Sequence, residues 1–194
     1  MLNKLAVKLS NRLLYNNVIS ADLLDIYVYG FELIISSLIN TLVVLLSGVL
    51  LNKFIQTITF LFVFILLRSF SGGYHADTYI KCSIATFSIY AMVMLLANYL
   101  PVPWFAFLVL GAIGVLMLAW MAPIKNPNKR LTLSKIRKFK IISLVIFLLF
   151  VSAGMLLCQQ SSSISSVIFF TLVSDLMLML IKNKKERRKQ NEGT

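Results

Sequence analysis

The chain has 194 residues, of which 59% are hydrophobic and only 13% are charged, and its net charge is +12. Soluble domains usually carry about 25% charged residues, so this composition excludes an ordinary soluble domain and predicts a membrane protein. A net charge this high would indicate nucleic-acid binding in a soluble protein. Here the basic residues lie in clusters between long apolar runs, so we expect anionic lipid, and not nucleic acid, as a partner.

Residues 1–17 are too polar to cross a membrane but have helical periodicity. Lys4, Lys8 and Arg12 recur at intervals of four residues, while leucines occupy another face. This pattern predicts an amphipathic helix that lies in the membrane interface. A short basic segment without fixed structure is the alternative.

Six apolar runs follow, and a membrane-spanning helix needs about 17–25 mostly apolar residues. The predicted spans are approximately 27–51, 54–67, 83–100, 104–122, 141–158 and 164–181. The run 54–67 is short, so it either crosses a locally thinned bilayer or enters the membrane only partway. The fold class predicted is therefore an all-α polytopic membrane protein. It would have one transmembrane domain over 1–182 and a basic cytoplasmic tail over 183–194, which we expect to be disordered.

The fourth predicted span has features of a packed membrane helix. Trp104 and Trp120 lie at its two ends, as aromatic residues at membrane interfaces do. Gly111 and Gly114 leave room for a close helix neighbour.

The distribution of Lys and Arg predicts the orientation in the membrane. If both termini are cytoplasmic and there are six spans, 18 of the 19 basic residues lie inside and only Lys53 lies outside. Five spans would place either the basic loop 123–140 or the tail on the opposite side. We therefore expect a multi-pass protein with cytoplasmic termini and short external loops.

His75 is the single histidine of the chain, and it precedes Cys82 by seven residues. Imidazole can take a thiol proton and the thiolate can then attack a carbonyl, so the pair suits a nucleophilic enzyme. In one continuous helix the two residues would be about 10.5 Å apart along the axis, so the segment must bend or the pair must close on substrate. Gly72 and Gly73 supply backbone freedom for a bend. A hydrogen-bonded histidine and a cysteine that packs as a small apolar residue are the alternative.

The charges around the two cysteines differ. Lys81 and Arg68 lie near Cys82 in the sequence, and positive charge favours the thiolate. Cys158 lies among apolar residues at the end of a span, so we interpret it as a packing residue. One histidine and one cysteine are too few ligands for structural zinc, and we expect no metal or other cofactor.

Three acidic residues each allow two interpretations. Asp77 either orients His75 or is a solvated carboxylate. Glu32 in the first span and Asp175 in the sixth are either functional or merely anchor the bundle by pairing with basic residues. The loop 123–140 is a topology signal that holds anionic lipid, and its charge would also suit an acidic peptide.

The segment from Arg68 to Cys82, which reads RSFSGGYHADTYIKC, resembles the signature of the accessory gene regulator protein B (AgrB) family. The stretch APIKNP at 122–127, followed by a basic run, is similar to that family's central cytoplasmic loop. The chain length, the basic N-terminal helix and the span layout also fit. That family consists of bacterial plasma-membrane cysteine endopeptidases, a class of thiol protease, which process the precursor of a quorum-sensing autoinducing peptide.

The resemblance implies that His75 and Cys82 are the catalytic pair. Cys82 would attack a carbonyl in the C-terminal half of the precursor to give a thioester acyl-enzyme. The precursor's own cysteine would then displace Cys82 and close a thiolactone ring. The implied partners are a precursor with an amphipathic N-terminal segment and an acidic tail, and a second copy of the chain in a homodimer. The candidate substrate-binding residues are Arg68, Gly72, Gly73, Lys81, Lys125, Lys129 and Arg130.

Two other classes of protein compete with this prediction. A non-enzymatic transporter or peptide-binding scaffold usually has polar midplane residues, broken helices and internal repeats, and this sequence has few of them. A membrane protease of the prenyl-protease type uses carboxylates and several histidines, whereas this chain has one histidine. The cysteine endopeptidase is therefore the main prediction, and the transporter or scaffold is the alternative.

Overall fold

The computed structural model describes residues 2–71, 79–121 and 133–192, and within these ranges the regular structure is helical. A short 3-10 turn, Ala21–Leu23, precedes the second helix. The α-helices in these ranges are α1 (Leu2–Tyr15), α2 (Leu24–Leu50), α3 (Phe54–Ser71), α4 (Tyr79–Tyr99), α5 (Trp104–Met121), α6 (Leu133–Leu157) and α7 (Ser162–Glu192). The predicted all-α polytopic fold is confirmed.

Five helices of the described ranges, namely α2, α4, α5, α6 and α7, are long and apolar enough to cross a membrane. Large apolar side chains cover their outward surfaces, among them Leu42, Leu46 and Leu116, each of which is at least 58% exposed. Lipid solvates such a surface, whereas water would not. Trp104 and Trp120 are both exposed at the two ends of α5, as the aromatic pattern predicts. The chain is thus a multi-pass membrane protein.

Helix α3 has a shorter apolar run, Phe54–Phe70, than the five long helices, but it lies at the centre of the bundle. Its 18 residues extend about 27 Å at 1.5 Å per residue, which is close to the roughly 30 Å of a hydrocarbon core. Phe60, Val63 and Leu67 on this helix are almost completely buried. A helix buried in this way tolerates a short apolar run, because protein and not lipid surrounds much of it.

Two apolar clusters share α3 and α7. One cluster joins these helices to α5 and α6 around Phe107 and Phe147. The other joins them to α2 and α4 around Phe60 and Tyr90. Half of the apolar stretch of α7 is buried, against 17–28% for the other long helices. Helices α3 and α7 therefore form the middle of the bundle.

Helices α5 and α6 interlock through two glycines. A side-chain carbon added at Gly114 of α5 would collide with the buried ring of Phe147, and one added at Gly154 of α6 would collide with the buried ring of Phe107. Each helix thus supplies one phenylalanine ring and one glycine against which the ring of the other helix packs. At Gly111 the nearest atom, Val151 Cγ1, would be 3.4 Å away, which is ordinary contact. The close helix neighbour expected at this pair of glycines is α6.

Hydrogen bonds close the end of the bundle formed by residues 51–53, 100–103 and 158–161, which we call the short-loop end. Lys53 Nζ donates to Asn98 Oδ1 at 2.6 Å. The Val102 amide donates to the hydroxyl of Ser166 at 3.1 Å, and the Ser165 hydroxyl donates to the Gly154 carbonyl at 2.8 Å. Polar groups within a bilayer need such internal partners because no water is available to them.

The N-terminal segment forms helix α1, which favours the amphipathic helix over an unstructured segment. It packs on α2, and Asn3 Nδ2 donates to Glu32 Oε1 at 2.7 Å. This contact supports the interpretation of Glu32 as an anchor, since it ties α1 to α2.

Three helices extend beyond the apolar runs that predicted them. Helix α3 continues to Ser71, α6 begins at Leu133, and α7 continues to Glu192. The expectation that 183–194 is disordered is therefore wrong for the described residues up to 192. Lys, Arg, Glu and Gln are good helix formers, and extending an existing helix avoids the cost of nucleation.

We expect Gly114→Ala to lower the free energy of unfolding by about 1–3 kcal/mol, because the new methyl group overpacks a site already filled by the Phe147 ring. The measurement is the thermal unfolding temperature of the purified protein in detergent. Gly30→Ala is the matched control, since a carbon added at Gly30 meets nothing within 4 Å and the gain in helix propensity is the same. Equal unfolding temperatures for the two variants would contradict the interlock.

Candidate active site

The end of the bundle opposite the short-loop end carries most of the charge, and we call it the basic end. It is formed by the end of α3, the starts of α4 and α6, and the part of α7 from Asp175 onwards. Phe70 of α3 and Phe139 of α6 meet here, with ring centroids 6.1 Å apart. Arg68 and Cys82 also meet at this end.

Cys82 lies in the first turn of the described part of α4, and its thiol is free and partly exposed. Arg68 Nη2 approaches Cys82 Sγ at 4.0 Å. The guanidinium carbon of Arg68 also lies over the ring of Phe64, 5.1 Å from its centroid, which is a cation–π geometry. A cation beside a cysteine favours the thiolate, which is the nucleophilic form. The contact between Arg68 and Cys82 therefore suits nucleophilic chemistry.

Cys158 has a different environment at the short-loop end. Its sulfur lies 3.0 Å from Ser165 Oγ, and the thiol donates to the carbonyl oxygens of Gly154 at 3.3 Å and Val102 at 3.6 Å. These contacts join the end of α6 to the start of α7 and to the loop before α5. They fit the interpretation of Cys158 as a packing residue.

Asp175 lies on α7, where this helix enters the basic end. Its side chain is buried. Among the described residues, Asp175 Oδ2 has no hydrogen-bond partner. An ionisable residue inside a predicted span can be recognised from the sequence, and it suggests a functional role.

Much of the predicted site lies outside the described residues. This holds for His75, Asp77 and the bend expected between His75 and Cys82. It also holds for the candidate substrate-binding residues Gly72, Gly73, Lys125, Lys129 and Arg130. Lys81 is described only as a backbone position of α4. Of the predicted site residues, the structure therefore brings together Arg68 and Cys82.

The chain matches a known protein family over most of its length. Residues 2–181 match the model of the family described as Accessory gene regulator B. The chain belongs to this family. The match extends from α1 into the apolar part of α7, so it covers all the helices that form the site. It confirms the resemblance carried by the segment from Arg68 to Cys82, and it supports a role in processing the agr quorum-sensing peptide.

Individual relatives of the AgrB family agree with this assignment. Accessory gene regulator protein B of Staphylococcus intermedius is 24% identical over 151 residues, which are 78% of this chain and 78% of that protein. A putative AgrB-like protein of Clostridium perfringens strain SM101 is 26% identical over 158 residues, with 75% of this chain and 72% of that protein covered. Putative AgrB-like protein 2 of Clostridium perfringens strain 13 is 32% identical over 80 residues, which are 41% of this chain and 36% of that protein. No solved structure matches the chain.

The two cysteines should differ in reactivity. We expect iodoacetamide to alkylate Cys82 about tenfold faster than Cys158 near neutral pH, because the Cys158 sulfur is held in hydrogen bonds within the packing and buried structural cysteines react slowly. Cys158→Ser leaves Cys82 as the single thiol, and Cys82→Ser leaves Cys158, so intact mass spectrometry of the two variants gives both rates. Equal rates would contradict the difference between the two environments.

Proposed function

We propose that the chain is a membrane-embedded cysteine endopeptidase that cleaves the precursor of a quorum-sensing peptide. The observation that carries the proposal is the family match over residues 2–181. The surroundings of Cys82 support it, because this thiol is partly exposed and has a guanidinium beside it, whereas Cys158 is hydrogen-bonded within the packing.

In the first step, the imidazole of His75 takes the proton from Cys82 Sγ. The thiolate attacks a backbone carbonyl carbon of the precursor, and a C–S bond forms. The C–N bond then breaks, and His75 returns the proton to the leaving amine of the C-terminal fragment. The precursor's N-terminal part is now bound to Cys82 as a thioester.

In the second step, a cysteine of the precursor gives its proton to His75 and attacks the thioester carbonyl. Its C–S bond forms as the bond to Cys82 breaks, so the product is a thiolactone ring and Cys82 recovers the proton. One thioester replaces another, and the exchange therefore needs no ATP. Water must be excluded from the acyl-enzyme, and a site among membrane helices helps to exclude it.

The charge of the chain supports the choice of substrate. The basic end would face the cytoplasm and would attract the acidic C-terminal tail of the precursor, while the amphipathic N-terminal segment of the precursor would lie on the same membrane surface. Arg68, Lys81 and the basic residues of the loop 123–140 would contribute to this attraction.

Co-expression with a candidate precursor, tagged at both ends, tests the reaction. We expect wild type to release the C-terminal fragment, and both His75→Ala and Cys82→Ala to abolish release, because each removes one member of the catalytic pair. Cys158→Ser is the matched control and should cleave normally.

A precursor adduct on Cys82 of the wild-type protein, seen by mass spectrometry, would identify the acyl-enzyme. Full cleavage by the Cys82→Ala variant would overturn the endopeptidase proposal. A precursor that binds without being cut by wild type would favour the scaffold alternative.

The proposed orientation can be tested separately. In a chain without Cys82 and Cys158, we expect a cysteine placed at Asn52 to react with a membrane-impermeant maleimide in intact cells, since the loop 51–53 would face outwards. A cysteine placed at Lys184 should react only after the cells are permeabilised. The opposite pattern would reverse the topology.

A further inference from the structure

The side chain of Arg68 points away from water, although it lies near the end of a membrane helix. Long cationic side chains at such places commonly extend towards the aqueous interface, where water solvates the charge. The guanidinium of Arg68 instead lies over the ring of Phe64, one turn earlier on α3, with its carbon 5.1 Å from the ring centroid. Its Nη2 lies 4.0 Å from Cys82 Sγ on α4. One cation thus has an aromatic ring and a thiol as neighbours.

The ring of Phe64 is suited to hold a cation at this place. The face of an aromatic ring carries partial negative charge and attracts a guanidinium, and the attraction is stronger where water is excluded. Only 4% of Phe64 is exposed, so little water competes with the cation for the ring. Residues four apart on a helix lie on the same side of it, which brings Phe64 and Arg68 together on α3.

The position of the Phe64 ring is itself fixed by two further rings, and we call Phe64, Phe60 and Tyr90 the aromatic column. The rings of Phe64 and Phe60 are stacked with centroids 5.2 Å apart, and the Tyr90 ring meets Phe60 edge-on at 5.4 Å. Tyr90 lies on α4, which also carries Cys82, and its hydroxyl is 2.9 Å from that of Thr57 on α3. The column therefore fixes the Phe64 ring relative to the helix that carries the thiol.

We propose that Phe64 is a positioning residue whose ring holds the guanidinium of Arg68 beside the thiol of Cys82. Phe64 acts through Arg68 and takes no part in the bond changes of the proposed reaction. The guanidinium held in this place favours anionic groups that approach the sulfur. This inference rests on the proposed function in one respect, because it concerns the cysteine that we propose as the nucleophile.

A comparison of two alkylating reagents reports whether the guanidinium lies beside the sulfur. Iodoacetate carries a negative charge, iodoacetamide of nearly the same shape carries none, and both alkylate the thiolate. The ratio of the two rates therefore cancels the thiolate fraction and the general accessibility of Cys82, and it depends on the charges near the sulfur. Loosened packing that leaves Arg68 in place would change both rates alike and would leave the ratio unchanged.

The experiment measures both rates for Cys82 at pH 7, by intact mass spectrometry of purified protein in the Cys158→Ser background. We expect Arg68→Gln to lower the iodoacetate-to-iodoacetamide ratio by about fivefold and Phe64→Leu by about threefold, because a unit charge a few ångströms away has an effect of this order and the released guanidinium stays nearby. Phe64→Tyr should keep the ratio, because it keeps the ring.

Leu67→Ala is the matched control. Leu67 is as deeply buried on α3 as Phe64, it directly precedes Arg68, and its truncation removes as many carbon atoms as Phe64→Leu does. This variant should keep the wild-type ratio. The double variant Phe64→Leu/Arg68→Gln should have the ratio of Arg68→Gln alone, because no guanidinium is left to hold.

An unchanged ratio in Phe64→Leu would overturn the proposal, as would an equal fall of the ratio in Leu67→Ala. If Phe64→Leu does not elute as wild type does in size-exclusion chromatography, a ring-trifluorinated phenylalanine at position 64 replaces it. Fluorine withdraws electrons from the ring face and changes the shape little, so the ratio should fall, and an unchanged ratio would again overturn the proposal. Alkylation needs no precursor, so failure of precursor cleavage is distinguishable from failure of this inference.

Discussion

Helices α3 and α7 pack against each other through the middle of the bundle, and both apolar clusters take residues from each of them. Helices α2 and α4 lie on one side of this pair, and α5 and α6 lie on the other. The consecutive helices α3 and α4 have few direct contacts with each other, whereas both pack extensively on α7. The distance between Arg68 and Cys82 therefore depends largely on α7, which carries neither residue.

The forces that hold this arrangement differ from those in a soluble bundle. Moving apolar surface from lipid into the protein lowers the free energy little. Close packing and internal hydrogen bonds therefore have to specify which helices meet. The buried hydroxyl of Thr57, 2.9 Å from that of Tyr90, joins α3 to α4 in this way. A side-chain carbon added at Gly48 of α2 would collide with Thr57, so the glycine allows α2 to approach the same point. Small residues and hydroxyls thus determine the assembly of this half of the bundle.

The sequence predicted the apolar part of each helix well, because hydropathy reports which residues lipid or protein can surround. The start of α5 at Trp104 and of α3 at Phe54 were both anticipated. The polar extensions at Leu133 and after Lys182 were missed, since hydropathy does not register a helix once it leaves the membrane.

Only part of the candidate site could be predicted from the sequence. Arg68 and Cys82 were both candidates because they share a short segment with a recognisable pattern. Asp175 was noticed only as an acid within a span, and its burial among the other helices was not predicted. The burial of such a residue depends on the choice of neighbouring helices, which one sequence with helical periodicity leaves undetermined.

The two reciprocal contacts between a phenylalanine ring and a glycine limit how α5 and α6 can move relative to each other. Sliding one helix along the other by a turn would withdraw both Phe107 and Phe147 from their glycines at once, so the packing opposes such sliding. Cys82 lies on the opposite side of the central pair, where α4 packs with α2. Movement of helices next to Cys82 would therefore involve α2 and α4 more readily than the interlocked α5 and α6.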